Sequence, residues 1–236
     1  TNMPFGDAAG TNGTNGGTNQ CGTVAPRAGI PWSDTLASQV STGISHLSSN
    51  CTSWKTATTL SGALSSGYNC YSNSVALSGN VTASNPNTVL VIQNGGLNLG
   101  AFKVSTTGSG SLTLAFAGSS EGVAMIDFSG GGSLDFAAPL PSVTSPSDWQ
   151  GLAIAVDPNL AATGGKKGGS IDVTLSGSGT QLSVTGGIAG INGNFTFNAD
   201  IQRATSSAYD CIGVWANSIT ANGTATVTFT VKNTGK

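Results

Sequence analysis

Ile171-Asp-Val-Thr-Leu-Ser-Gly-Ser-Gly-Thr-Gln-Leu-Ser-Val-Thr185 is the stretch on which the fold turns. Apolar residues alternate with polar ones on both sides of a small-residue turn, Ser176-Gly177-Ser178-Gly179. Such alternation places one set of side chains on each face of a β-strand. Three other places read nearly the same. Val75–Val81 is Val-Ala-Leu-Ser-Gly-Asn-Val, and Ile126–Phe136 is Ile-Asp-Phe-Ser-Gly-Gly-Gly-Ser-Leu-Asp-Phe. Ile219–Phe229 is Ile-Thr-Ala-Asn-Gly-Thr-Ala-Thr-Val-Thr-Phe. The four starts are 51, 45 and 48 residues apart. A loose repeat of this kind predicts stacked, similar units.

Short, closely spaced strands fit a sandwich, a barrel or a solenoid. The repeat favours an all-β fold, a right-handed parallel β-helix, with a β-sandwich as the alternative. One coil takes roughly twenty residues, so each interval is expected to hold two coils. Gly, Ser and Asn suit the corners because they accept positive φ. The Ser-Gly element then reads as a corner rather than a hairpin turn. Thr88–Ile92 and Trp149–Val156 are apolar runs expected to be buried, whereas the proline-rich segment Ala138–Pro146 cannot be a central strand.

Upstream of the repeats the text changes. Residues 1–20, with Thr-Asn-Gly-Thr-Asn-Gly-Gly-Thr-Asn, bury almost nothing and read as a flexible arm. The sharper reading is an extended arm that pairs with another subunit by strand addition. Residues 21–63 read as a cap region with one helix, Ser33–Leu47, capped by Ser33. Leu36, Val40, Ile44 and Leu47 share one face of it. Such a helix is expected to cover one end of the stack, which a solenoid needs. Residues 64–236 form the β-solenoid domain.

Composition narrows the function. Only 8% of the 236 residues are charged, against about 25% in an average soluble chain. The net charge of −2 and eight scattered basic residues, Lys166-Lys167 being the one basic pair, exclude nucleic acid as a partner. No apolar stretch approaches a membrane span. The sequence opens at Thr1 with no basic-plus-apolar leader, either because a targeting segment has been removed or because the sequence does not include it. Four Cys with one His show no metal-ligand spacing. Two disulfides in an oxidising compartment follow, with three connectivities open.

No catalytic, metal or cofactor residues are expected. Asp127 and Asp135 flank a glycine turn, Asp172 opens the third repeat, and Asp200 and Asp210 bracket Arg203. If coils stack in register, Asp127 and Asp172 sit at equivalent positions, as a catalytic carboxylate pair would. As singletons without an acid or base partner nearby, they read as solvent-facing or turn-capping residues. His46 has neither nucleophile nor carboxylate local to it and reads as a surface or packing residue. No phosphate loop, dinucleotide fingerprint or zinc motif occurs. Asp148 and Asp157-Pro-Asn are weak candidates for a calcium loop. Trp149 and Trp215 read as core, and Trp32 and Trp54 as packing for the cap. Asn12, Asn50, Asn80, Asn194 and Asn222 begin Asn-x-Ser/Thr triplets, which arise by chance in a chain this rich in Asn and Thr.

The order of motifs resembles a known family. Gly67-Tyr-Asn-Cys70, Leu77-Ser-Gly79 and Asn87-Thr-Val-Leu-Val-Ile-Gln-Asn-Gly95 are followed by Ile126-Asp-Phe-Ser-Gly-Gly-Gly-Ser-Leu-Asp-Phe-Ala-Ala-Pro139. Then come Trp149-Gln-Gly-Leu-Ala-Ile154, Leu175-Ser-Gly-Ser-Gly179, Gly187-Ile-Ala-Gly-Ile-Asn-Gly-Asn194 and Cys211-Ile-Gly-Val-Trp-Ala-Asn-Ser-Ile219. Together, over Cys51–Phe229, they resemble the C-terminal extracellular region of TadG-like proteins, which accompany bacterial tight-adherence (Flp/Tad) pili. Asn69 interrupts that family's Gly-Tyr-Cys element. The resemblance implies a non-enzymatic protein, secreted or at the bacterial cell surface. Its implied partners are pilus or surface proteins and further copies of itself, met through the arm. It also implies the pair Cys51–Cys70, whose spacing is typical of the family and close to one coil, and with it Cys21–Cys211.

Ser66–Gln93 is also loosely similar to bacterial ice-binding β-solenoids. Thr174, Thr185, Thr226 and Thr228 are too irregular for an ice-binding face. The alternatives to a structural role are a carbohydrate-active β-helix enzyme and a glycan- or ice-binding module.

Overall fold

The computed structural model describes residues 32–119, 125–139, 148–160, 170–171, 181–197, 201–202 and 212–221. Two helices, α1 (Trp32–Ser45) and α2 (Leu47–Asn50), precede the strands. The strands are β1 (Thr59–Ala63), β2 (Tyr68–Tyr71), β3 (Val75–Ala83), β4 (Thr88–Gln93), β5 (Leu97–Asn98), β6 (Lys103–Thr106) and β7 (Leu112–Ala117). They continue as β8 (Ile126–Asp127), β9 (Ser133–Ala137), β10 (Leu152–Val156), β11 (Ser170–Ile171), β12 (Gln181–Phe197), β13 (Ile201–Gln202) and β14 (Ile212–Ala221).

Every pairing among the described strands is parallel, and partners lie about one coil apart. This is the expected all-β parallel solenoid with its helical cap. The sides of the stack follow from the register. One side runs Asn69, Leu90, Leu114, Ile154, Ile188, Val214. A second runs Val75, Leu97, Ile126, and higher up Ile171, Phe195, Ile219. The third runs Val81, Val104, Leu134, Leu182, Ile201.

The repeat is therefore a coil repeat, with one correction. Val75 to Ile126 spans two coils through Leu97, and Ile171 to Ile219 spans two through Phe195. The middle interval is a single enlarged coil, because Leu134 pairs directly with Leu182. The extra length sits in the connections before and after β10. Loop length carries only a slowly growing entropy cost, so a corner accepts an insertion that a strand would not.

Leu90, Leu114, Leu134, Leu182 and Val184 are buried in the main core between the sides. Corner polar groups bond along the stack: Asn80 Oδ1 accepts from Lys103 N at 3.0 Å, and Asn94 Oδ1 from Ser119 N at 2.7 Å. A Cβ on Gly95 would collide with the backbone of Asn73 and Ser74, so coils meet backbone to backbone at that corner. Ser78-Gly79 lies within β3 where it passes from the second side to the third, and Ser129–Gly132 joins β8 to β9, both as corners. The turn Ser176–Gly179 lies outside the described residues.

The cap differs from expectation in two details. Its helix begins at Trp32, so Ser33 lies inside the first turn instead of capping it. The helix breaks at His46. Ser45 and Ser49 hydroxyls there donate to the carbonyls three residues back, at 2.8 and 2.9 Å, which competes with helix continuation. Val40 and Leu47 are buried and Ile44 half-buried, as the spacing predicts. They do not cover the end of the stack. They pack across the outside of the first side, on Cys70, Val89, Val91, Ala115, Ala155 and Ala189. The fourteen residues of α1 are about 21 Å long. Four steps from β2 to β12 at about 4.8 Å each make about 19 Å, so the helix matches the sheet it covers.

The lower end of the core is closed differently. Asn69 points inward in register with Leu90, and is 2% exposed. It donates to Ser65 O at 2.9 Å and accepts from Ser65 N at 3.2 Å. The residue that interrupts Gly-Tyr-Cys is thus a polar plug whose hydrogen bonds offset its burial. Among the described residues no helix is long and apolar enough to cross a membrane.

Candidate functional site

Titratable and aromatic side chains from distant segments converge at one place, where the end of the helix meets β2 and the turn before β10. Cys51, just past α2, is bonded to Cys70 in β2, with Cα atoms 5.8 Å apart. Cys21 and Cys211 lie outside the described residues. Trp149 is fully buried beneath the helix, and a Cβ on Gly43 would approach its ring to 2.7 Å. Only glycine lets the backbone come that close. Trp149 Nε1 donates to Tyr68 Oη at 3.0 Å. Gln39 Nε2 donates to Asp148 O at 3.0 Å and Gln150 O at 2.9 Å, pinning the turn that enters β10.

His46 Nδ1 lies 2.8 Å from Asp148 Oδ2, so a carboxylate 102 residues away supplies the partner that is missing locally. His46 is on the surface, as expected, with 52% of its side chain exposed. The hydroxyls of Ser45, Ser48 and Ser49 donate to backbone carbonyls. Among the described residues, the hydroxyls nearest His46 along the chain are thus engaged with backbone carbonyls and not with its ring. Burial pushes the Tyr68 phenol above its ordinary value, and the charge of Asp148 adds to this. Hydrogen bonds with Trp149 and Asn50 pull the other way. A tyrosine held neutral suits a hydrogen-bonding post rather than a base.

The other acids have separate partners. Asp127 Oδ1 accepts from Ser129 N at 2.8 Å, capping its own turn. Asp135 Oδ2 lies 2.6 Å from Lys103 Nζ on the coil below. Asp157 Oδ1 accepts from Asn159 N at 2.8 Å. Asp172, Asp200, Arg203, Asp210 and Lys166-Lys167 lie outside the described residues. Among the described residues no three His, Cys, Asp or Glu gather as a metal site would require.

Compared with protein-family models, curated proteins and solved structures, the chain matches none. Its own residues must carry the reading. Of the tryptophans whose side chains are described, Trp149 is buried and Trp54 half-buried. Thr185 is fully buried, unlike a residue of an exposed threonine face. Thr174, Thr226 and Thr228, and the side chains of Trp32 and Trp215, lie outside the described residues. Lys55 Nζ sits 5.3 Å over the ring of Tyr71 at the first coil.

Gln39 and Asp148 carry no signal of this clasp in sequence, being 109 residues apart.

Proposed function

We propose that this chain is a non-enzymatic structural or adhesion protein of the bacterial cell surface, akin to the TadG-like proteins of tight-adherence pili. It acts through contacts with pilus or surface proteins and with other copies of itself. One observation carries the reading. Each of Asp127, Asp135, Asp148 and Asp157 is engaged with a different framework partner. A β-helix hydrolase or lyase needs carboxylates that converge on a groove. The Cys51–Cys70 bridge supports an oxidising location.

The test is gold-labelled antibody on intact cells of the producing bacterium, with electron micrographs of the purified native material. Label on the cell surface or on filaments supports the proposal. Label that appears only after the cells are broken open sinks it. Release of oligosaccharides from surface polysaccharide by the pure chain sinks the non-enzymatic part.

A further inference from the structure

We propose that α1 is a splint: it ties together coils that are not neighbours, so that the stack opens as one body instead of coil by coil from its first end. This deepens the structural role proposed above and rests on it.

Strand pairing alone does not give that behaviour. In a solenoid each repeat touches only its neighbours, and stability is a sum of neighbour contributions. The pairings among the described strands follow this rule, each joining one coil to the next. Along the first side the order is β2, β4, β7, β10, β12. The first coil is the weakest member. Among the described residues β1 pairs only with β3. Leu60 there is 8% and its neighbour Leu77 6% exposed, against 0% for Leu90 and Leu134. Peeling from that end would break one interface at a time.

The helix and its clasp cut across that order. At the lower end Cys51–Cys70 fastens the helical segment to β2. At the other end α1 reaches β12. Gln39 Nε2 donates to Asp148 O and Gln150 O, in the turn that enters β10. Between these points the helix lies on a wall of small side chains, Ala115 in β7, Ala155 in β10 and Ala189 in β12. Side chains of one small size let a rod lie flat across several coils.

Two further contacts skip coils. Trp149, in the same turn, donates from Nε1 to Tyr68 Oη in β2 at 3.0 Å, although β4 and β7 stand between β2 and β10. His46 Nδ1, at the junction with the disulfide-bonded α2, lies 2.8 Å from Asp148 Oδ2. Opening the first coil therefore strips contacts from β10 and β12 as well. A pull on the end coil of a surface protein is shared in this way with coils higher in the stack.

Native-state hydrogen exchange, read by mass spectrometry over rising denaturant, tests this on the whole chain. In the unaltered chain the amides of β2, β4, β7 and β10 are expected to converge on one opening free energy. The variant Cys51→Ser/Cys70→Ser/Gln39→Ala removes both ends of the splint. Its β2 amides should exchange roughly 100-fold faster, the equivalent of the loop closure lost. Rates should then fall in order through β4 and β7 to β10. Leu134→Ala weakens the stack but leaves the splint, so the four strands should speed up together. Graded opening in the unaltered chain overturns the inference, and so does a common value retained in the triple variant. Grading in Leu134→Ala also overturns it, by tracing the order to the stack itself. If the triple variant does not fold, Gln39→Ala with Tyr68→Phe takes its place, and a common opening value in that protein overturns the inference. A labelled cell surface together with graded opening in the unaltered chain would sink the splint and leave the surface reading standing.

Discussion

Leu134 and Leu182 lie side by side in neighbouring coils, although 48 residues separate them. Both are fully buried. The inward column is continuous across the largest insertion in the described stack, so the column and not the loops holds the coils in register. Leu134→Ala should cost about 2–5 kcal/mol, the range for truncating a buried leucine whose surroundings cannot collapse. Chemical denaturation followed by far-ultraviolet circular dichroism measures this. A loss under about 1 kcal/mol would mean that the column is not the main core.

Gly43→Ala tests the helix clasp. The added methyl meets a fully buried indole, and overpacking of this kind costs about 1–3 kcal/mol. Because the clash lies between the helix and the sheet, near-ultraviolet dichroism and tryptophan emission should change while the strand signal stays. An unchanged tryptophan environment would contradict the packing.

Replacing Cys51 and Cys70 together by Ser opens a loop of 19 residues. The expected loss is about 3 kcal/mol in the chain-entropy model. It should appear as a lower denaturation midpoint, with protease sites in α1 and α2 cut before those in the sheet. Equal midpoints for the two proteins would show that the bond contributes little.

The raised pKa of Tyr68 gives a pH dependence of defined sign. The unfolded chain gives up this proton near the ordinary value of 10.0, and the folded chain only at higher pH. The contribution is therefore complete below 10.0 and is lost as pH climbs through the folded value. Tyr68→Phe removes that part of the alkaline slope. It also removes the hydrogen bond from Trp149 Nε1 and lowers stability at neutral pH by about 0.5–1.5 kcal/mol. Denaturation midpoints measured on both sides of that pH, for both proteins, check it. A slope that persists in the variant would assign it to another group.

The ion pairs should matter little. His46 and Lys103 are 52% and 43% exposed, and such pairs contribute about 0–1 kcal/mol. A double-mutant cycle on Lys103 and Asp135 is the direct measurement, and a coupling well above that range would overturn the assignment.

Much of the fold was readable one residue at a time. Alternation at Val75, Ile126, Ile171 and Ile219 marks strands because side-chain direction reverses at each residue whatever the surroundings. Val40, Ile44 and Leu47 mark a helix face for the same local reason. The interval from Ile126 to Ile171 misled, because two coils and one coil with an insertion look alike in spacing. Of the clasp only the Cys51–Cys70 bond was legible, and that through a family resemblance.

Strands, corners, the helix and its apolar face depend on neighbours along the chain and can be read from them. Which surface that face covers, which acid meets His46, and why Asn69 is buried follow from how the coils pack. They rest on contacts between distant segments, such as that of Gln39 with Gln150, 111 residues away. Stacking sets them, because coils at a fixed spacing bring side chains together by height in the stack and not by position in the chain.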